Sequence, residues 1–367
     1  MRRRQFMTLG ATAAVLAAGG GIDLAGARPA AAAGPSSRAF PRTEVERHAA
    51  GSGWVRPAAA FDHVAVRADV PGEEGRIRFE GVDGPGEWQA LHFGEHGRDD
   101  LPAAPAALVA APAGAVAYEV RLPGGRTAET LAVNTRDGAA LRVSGEATGR
   151  MTIAGGNSAR GGFSYLTRAG WGADESLRYD EAGQEVWPRE YYPVQALTVH
   201  HAAMPVAADP RETVRAIYDL HAVQQTWGDI GYHLLIDPAG TVYEGRYTRE
   251  NGLPIFEGLP VPGRARSVTA GHVGGYNSGN IGVCLLGDFT DSMPTPAAQD
   301  SLVLVLRVLA RLTGVDPVAQ IEYVNPVNGA TWTGQGLSRH RDWLATECPG
   351  NTFAARFEEI RSRVAAD

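Results

Sequence analysis

Leu197-Thr198-Val199-His200-His201, Asp209-Pro210, and the run Gly231-Tyr232-His233-Leu234-Leu235-Ile236-Asp237-Pro238-Ala239-Gly240-Thr241-Val242-Tyr243-Glu244 decide the fold class of this chain. The first is a β-branched run, and a strand is expected over residues 195–201. Asp209 followed by Pro210 reads as an N-cap with proline at the first helical position, so a helix is expected through about residue 225. Residues 231–236 read as a strand, Asp237-Pro238-Ala239-Gly240 as its turn, and 241–244 as the returning strand of a hairpin. Outward from this block, 280–287 is an apolar strand and Thr295 caps a long apolar helix through about residue 313. Thr352 is expected to cap a last amphipathic helix through about residue 364. Strands interleaved with helices imply an α/β domain over residues 164–367, with a central mixed β-sheet flanked by helices.

The preceding sequence has a different period. Val64, Val66 and Val70 alternate with small or polar residues, as do Ile77 and Phe79, then Val116, Tyr118, Val120 and Leu122, then Leu131, Val133, Leu141 and Val143. Short alternating runs separated by Pro-Gly and Gly-Gly pairs imply a small β-sandwich, an accessory domain over 53–150. Its Trp54, Trp88, Phe93 and Tyr118 read as core, with stacking on sugars as the alternative. The multidomain chain then has a glycine-rich linker at 151–163 and a flexible, proline- and arginine-containing lead-in at 34–52. Arg2-Arg3-Arg4-Gln5-Phe6-Met7 followed by an alanine-rich apolar stretch reads as a twin-arginine signal peptide over 1–33. Export as a soluble, secreted or cell-wall protein with no membrane-spanning segment after the leader follows from that reading. A monomer is expected.

The chain has 367 residues, is 44% hydrophobic and 20% charged, and carries a formal net charge of −7. That sign argues against nucleic acid as a partner, since phosphate binding needs a basic surface. Of the two cysteines, Cys284 lies in the apolar run Ile281-Gly282-Val283-Cys284-Leu285-Leu286 and reads as a small buried hydrophobe rather than half of a disulfide. Cys348 follows His340 by eight residues in His340-Arg341-Asp342-Trp343-Leu344-Ala345-Thr346-Glu347-Cys348-Pro349, on an expected loop. Imidazole with thiolate suits zinc, and three protein donors with a free fourth position make a catalytic site. By spacing alone the pair is weak evidence, because a single histidine is by default a satisfied polar residue.

Several further segments change that balance. Arg168-Ala169-Gly170-Trp171-Gly172-Ala173, Val199-His200-His201-Ala202, Asp229-Ile230-Gly231-Tyr232-His233, the 237–246 turn and strand ending Gly245-Arg246, Ala270-Gly271-His272, Tyr276-Asn277-Ser278, Ile281-Gly282-Val283 and His340 to Cys348-Pro349 occur in this order. Together they resemble the peptidoglycan-recognition-protein and phage-lysozyme-type family of N-acetylmuramoyl-L-alanine amidases, over residues 167 to about 360.

The resemblance implies an enzyme: a Zn2+-dependent hydrolase that cuts the amide between N-acetylmuramic acid and L-alanine, with peptidoglycan as partner and cell-wall degradation as outcome. It implies His200, His340 and Cys348 as metal ligands, Tyr232 as a catalytic group and Thr346 as an oxyanion donor. His201 is the rival to His200, and strand alternation allows only one of them to face the metal. His272, Asn277, Arg246 and Trp227 fall at positions implied to bind substrate. The pair Thr226-Trp227 departs from the family's usual residues there, which leaves the stem-peptide preference open. No acid is clearly placed as general base; Glu347 and Asp342 are the nearest. The competing functions are a non-catalytic recognition protein and a zinc peptidase acting on the stem peptide.

Overall fold

The computed structural model describes residues 37–51, 53–67, 75–94, 96–102, 105–153, 161–249 and 253–366. The expected signal peptide lies outside the described residues, as do Val70 and the glycine-rich stretch 154–160. None of the described helices is long and apolar enough to cross a membrane.

A seven-stranded sheet organises the C-terminal half. Its spatial order is Thr148–Thr152, Gly162–Leu166, Val242–Glu244, Leu234–Ile236, Asn280–Leu285, Ala196–His201 and Leu337–Arg339. The sheet is mixed. The last three strands and Leu234–Ile236 run parallel, while Val242–Glu244 returns antiparallel from the turn at Asp237. That turn is tied by Asp237 Oδ1, which accepts from Ala239 N at 2.9 Å and Thr241 N at 2.8 Å.

Alternation divides the sheet's side chains. Leu197, Val199, Ile281, Val283 and Leu285 pack on one face against Leu302, Leu306 and Leu309 of helix Pro296–Thr313 and against Phe357 and Ile360 of helix Phe357–Ala365. The register places Leu235, Cys284 and His200 side by side in one row on the other face. Cys284 and Leu235 there join Val214 and Ile217 of helix Pro210–Asp219.

The helix signals are realised in detail. Asp209 accepts from Arg211 N, and Thr295 accepts from Ala298 N at 3.1 Å. The first helix does not continue in α form to residue 225; Leu220–Gln224 form a wider π-type turn. The last helix differs as well. It is split into Asn351–Ala355 and Phe357–Ala365, and Thr352 lies inside the first piece, its hydroxyl donating to Thr290 O at 2.9 Å instead of capping.

The N-terminal half is built on two small sheets. One has the order Glu44–Ala50, Ala128–Asn134, His63–Arg67, Ala106–Ala110; the other centres on Gly75–Gly81, paired with Gly84–Pro85, Gln89–Leu91 and Ala117–Arg121. Val64, Val66, Ala107 and Val109 of the first meet Ile77, Phe79, Tyr118 and Val120 of the second in one apolar cluster. Tyr118 belongs to that core, whereas Trp54 and Trp88 lie half-buried, each ring against the Arg78 guanidinium, at 4.8 and 4.7 Å.

Three boundaries differ from the sequence reading. The stretch 34–52 is not a flexible lead-in where it is described: Ser37–Pro41 pairs with Ala140–Ser144, and Glu44–Ala50 is an outer strand paired with Ala128–Asn134. Its polar sequence is that of a sheet edge, where charged side chains replace the apolar alternation. The β-rich half also stops short of residue 150, because Thr148–Thr152 is the outermost strand of the seven-stranded sheet. The expected linker at 151–163 is flanked by residues paired with each other, Thr152 with Gly162, so it joins neighbouring strands of one sheet.

The two halves share apolar core. The second face of the first N-terminal sheet, with Ala65, Leu108, Leu131 and Val133, packs on Met204, Val214, Ile217 and Leu220. Residues 63–67 and 128–134 are therefore buried on both faces.

Met151, 1% exposed, carries the outer strand into the core beside Phe163 and Tyr165. A chain beginning at Gly145 is expected to be more stable than one beginning at Phe163 by about 2–5 kcal/mol, the scale for losing a buried methionine. Equal urea midpoints for the two would show that this strand contributes nothing.

Candidate functional site

His200 is the penultimate residue of strand Ala196–His201, and His340 directly follows strand Leu337–Arg339. The two strands are adjacent and parallel, with Val199 opposite Arg339. The two histidines therefore leave the sheet side by side at its carboxyl ends, their ring centroids 4.6 Å apart. Carboxyl ends of parallel strands are where α/β sheets place ligands. His340 is not on a loop, as the sequence suggested, but opens the short helix His340–Trp343. Asp342 closes its first turn, accepting from Arg339 N at 2.8 Å. The chain then folds back, with Arg341 N donating to Cys348 O at 3.0 Å. Cys348 Sγ comes to 3.7 Å from His200 Nδ1 and accepts from His201 N at 3.4 Å.

The hydrogen bonds fix which nitrogen of His200 carries the proton. His272 Nε2 lies 3.0 Å from Asn280 O, and a carbonyl oxygen only accepts, so Nε2 is the protonated nitrogen. His272 Nδ1 is then an acceptor. His200 Nε2, 3.0 Å from it, donates, which leaves the lone pair of His200 on Nδ1, facing Cys348. An imidazole oriented through its far nitrogen is the usual support of a metal ligand. Gly282 makes room for this chain, since a Cβ there would come 2.5 Å from the His272 ring.

His340 is 1% exposed, and neither ring nitrogen has a hydrogen-bond partner among the described residues. Buried polar atoms are nearly always paired, so this orphaned pair calls for a ligand. Burial holds the pKa values of His200, His272 and His340 well below the ordinary histidine value, aided by the neighbouring histidines. Neutral imidazoles are the form that donates a lone pair to a cation. Burial also pushes the Cys348 thiol up to about 12, partly offset by the His201 N–H and Arg341.

A third imidazole, absent from the sequence reading, joins these. His96 comes from the β-rich half, and one donor atom each of His96, His200 and His340 lies within 4.8 Å of the others. The His96 ring stacks on that of His340, centroids 5.3 Å apart, and its pKa falls to about 4 through burial. Its only sequence signal is a second histidine four residues earlier, His92, in a stretch read as sandwich.

His96 and His340 border a cavity of about 600 Å³ between the two halves of the chain. His201, Tyr232, Thr346 and Cys348 are on its wall, with Leu91, Phe93, His96 and Leu108 opposite. The Tyr232 hydroxyl lies 2.9 Å from His96 Nε2, and burial raises its pKa well above the ordinary tyrosine value. Thr346 is half-buried, its hydroxyl accepting from Cys348 N at 3.3 Å. His201 points away from the row of His200, its Nδ1 accepting from Phe289 N at 3.3 Å. Glu347 is exposed on the cavity rim, and Asp342 is held by Arg339.

The four expected substrate contacts are not on the cavity wall. His272 is buried behind His200, as described. Asn277 is fully buried: its Oδ1 accepts from His272 N at 2.7 Å and Val273 N at 2.8 Å, and its Nδ2 donates to Gly97 O at 2.7 Å. Trp227 is 3% exposed and stacks on His221. Arg246 is 1% exposed and donates to Asp229 Oδ2 at 2.7 Å and Trp187 O at 2.8 Å. Asp229 also receives Arg168 Nη1 at 2.8 Å, Ile230 N at 2.8 Å and Tyr247 N at 2.9 Å. Arg246 is therefore half of a buried two-arginine clamp on the segment that carries Tyr232. The sequence places it at a hairpin end, but not what folds over it.

Residues 190–351 match the family described as N-acetylmuramoyl-L-alanine amidase. Peptidoglycan-recognition protein LB of Drosophila melanogaster is 24% identical over 203 residues, 54% of this chain and 67% of that protein. The N-acetylmuramoyl-L-alanine amidase of Homo sapiens is 28% identical over 175 residues, 46% of this chain and 24% of its own length. Among solved structures, the amidase LysC from Clostridium intestinale aligns over 50% of this chain and 93% of its own, with 25% identity and a TM-score of 0.36. The matched stretch holds His200, Tyr232, His340 and Cys348, and leaves His96 outside.

Two expectations follow from the buried hydrogen bonds. His272→Ala removes the acceptor that orients His200 and is expected to lower the affinity for zinc about 10–100-fold, read by competition with a chelating dye; unchanged affinity would disprove the orienting role. Asp229→Asn leaves the buried Arg246 guanidinium without its anion, while Arg168 keeps Glu175 at 2.7 Å, and is expected to cost about 3–5 kcal/mol in urea unfolding. Burial alone would raise the Asp229 pKa, but Arg168, Arg246 and the Tyr247 N–H hold it below the ordinary value. The stabilisation is thus present above the usual aspartate pKa and is lost as pH falls through the depressed one, so acid should weaken the parent far more than the variant.

Proposed function

We propose that the chain, whose residues 190–351 match the N-acetylmuramoyl-L-alanine amidase family, is a zinc-dependent amidase that cleaves peptidoglycan between N-acetylmuramic acid and L-alanine. The observation that carries this reading is His340, with both ring nitrogens unpartnered among the described residues, set 4.6 Å from the ring of His200, whose lone pair faces the thiol of Cys348. Two neutral imidazoles and a thiol are a donor set for zinc, and a site with three protein donors is of the catalytic kind. His200, His340 and Cys348 would hold the ion, which when bound supplies Lewis-acid polarisation of a carbonyl and a lowered pKa for water.

The remaining work falls to the chain's own groups. His272 and Asn280 O keep the proton of His200 on Nε2, so the nitrogen facing Cys348 stays a donor of electrons. The Tyr232 hydroxyl, protonated at neutral pH, is placed to give a hydrogen bond to a developing oxyanion or to pass a proton. Thr346 is a second hydroxyl on the same wall. The apolar residues on the facing side, Leu91, Phe93 and Leu108, limit water in the cavity. Secretion through the twin-arginine leader would bring such an enzyme to its polymer.

Digestion of purified wall is expected to release free stem peptides starting at L-alanine, identified by mass spectrometry, and to stop on chelation. Cys348→Ser should lose zinc and activity together. Tyr232→Phe should keep zinc while turnover drops about 10²-fold, the scale of a lost acid–base group. New termini inside the stem peptide would replace this reading with that of a peptidase, and binding without cleavage would replace it with recognition.

A further inference from the structure

Residues 96–99 belong to the β-rich half, yet every one of them contacts the amidase half. His96 Nε2 is 2.9 Å from the Tyr232 hydroxyl, and its ring lies against His340 and His200. Gly97 O accepts from Asn277 Nδ2 at 2.7 Å. The Arg98 guanidinium covers the Trp187 ring at 4.5 Å and donates to Trp227 O at 3.4 Å. The Asp99 carboxylate accepts from Asn277 N at 3.2 Å, Asn277 Nδ2 at 2.6 Å, Ser278 N at 3.1 Å, Ser278 Oγ at 3.0 Å and Asn325 Nδ2 at 2.8 Å.

We propose that His96 is a fourth protein donor to the metal site, held there by Gly97–Asp99 as a latch, so that the folded chain is a latent form of the enzyme. The inference rests on the amidase reading above. Three donors leave one position for water and substrate, whereas a fourth imidazole within 4.8 Å of the other two fills it. The latch is specific. A carboxylate with donors from two backbone amides, a hydroxyl and two side-chain amides is in a built anion site, with charge-assisted hydrogen bonds. The segment also accounts for the burial of Asn277: the side chain expected to meet substrate is occupied by Gly97 and Asp99. A peptide bearing carboxylates offers the same chemistry as Asp99 and would compete for these donors. Binding of an acidic stem peptide would then lift His96 away and open the fourth position, making activation a consequence of substrate engagement.

The test uses the full chain loaded with cobalt(II) or with zinc, comparing the parent with His96→Ala and Asp99→Ala. The visible d–d bands of cobalt(II) report the donor set, and transfer of zinc to a chelator reports its release. His96→Ala is expected to shift the cobalt bands, to release zinc about tenfold faster or more, and to cleave a soluble muropeptide about tenfold faster or more. Asp99→Ala keeps all four donors and loosens only the latch, so it should shift the bands in the same direction and also raise turnover. Bands unchanged in both variants, or turnover that does not rise in either, overturn the proposal; a fall in turnover with His96→Ala would make His96 a catalytic group instead. A parent chain that binds no stoichiometric metal would fail the amidase reading itself and is distinguishable at the first step.

Discussion

The structure depends on one buried carboxylate. Asp229 is fully buried, receives guanidinium hydrogen bonds from Arg168 and Arg246, and receives two backbone amides as well. Arg168 begins the first short helix after the outer strands, and Arg246 ends the hairpin at 242–244. Asp229 thereby joins segments that are 61 and 17 residues distant in sequence. Arg168 also meets Glu175 at 2.7 Å, whereas Asp229 is the carboxylate that holds Arg246, so its loss would leave the buried Arg246 charge uncompensated. The segment from Asp229 to His233 is consequently fixed, and Tyr232 with it. His233 accepts from Gly282 N of the neighbouring strand at 2.9 Å and donates to Val268 O at 2.7 Å, locking the same segment from the other side.

The sequence made much of this legible. The strand at 196–201, the capped helix at 210, the turn at Asp237 and the helix after Thr295 could be read because local chemistry decides them: an Asp or Thr cap, a proline at the first helical position, an Asp-Pro-Ala-Gly turn. Strand Leu337–Arg339 was not legible, since three residues give no period to detect. The outer strand Glu44–Ala50 was read as a lead-in because its exposed, charged side chains satisfy an edge rather than a core. Strand Thr148–Thr152 was assigned to the wrong half because alternation tells which residues face inward, and not which sheet they join.

At the site, family pattern suggested His200, His340 and Cys348, and the parallel register of two strands brings His200 beside His340. The roles of Arg246, Asn277, Trp227 and His272 could not be read in the same way. Each is a polar or aromatic residue in a loop-rich stretch, and only the packed structure tells whether such a group meets solvent or other protein. His96 was beyond reach for a further reason. It lies in a part of the chain with a different period, and nothing in that period marks a side chain that crosses to the other half.

Strand Leu337–Arg339 closes one side of the seven-stranded sheet. Its Leu337 carbonyl is covered by Arg361 Nε at 2.9 Å, and Trp343 Nε1 reaches Ser338 Oγ at 2.8 Å. Arg339 Nη1 also donates to Ala354 O at 2.9 Å, and the short border strand pairs on one side with Ala196–His201. A cation gripped jointly by His200 from the inner strand and by His340 and Cys348 from the border would act as a clasp on the sheet's hem. Ion binding and the opening of that hem then oppose each other thermodynamically. Amide protons of 337–343 would report the ion's presence through slowed exchange with solvent, with no substrate involved.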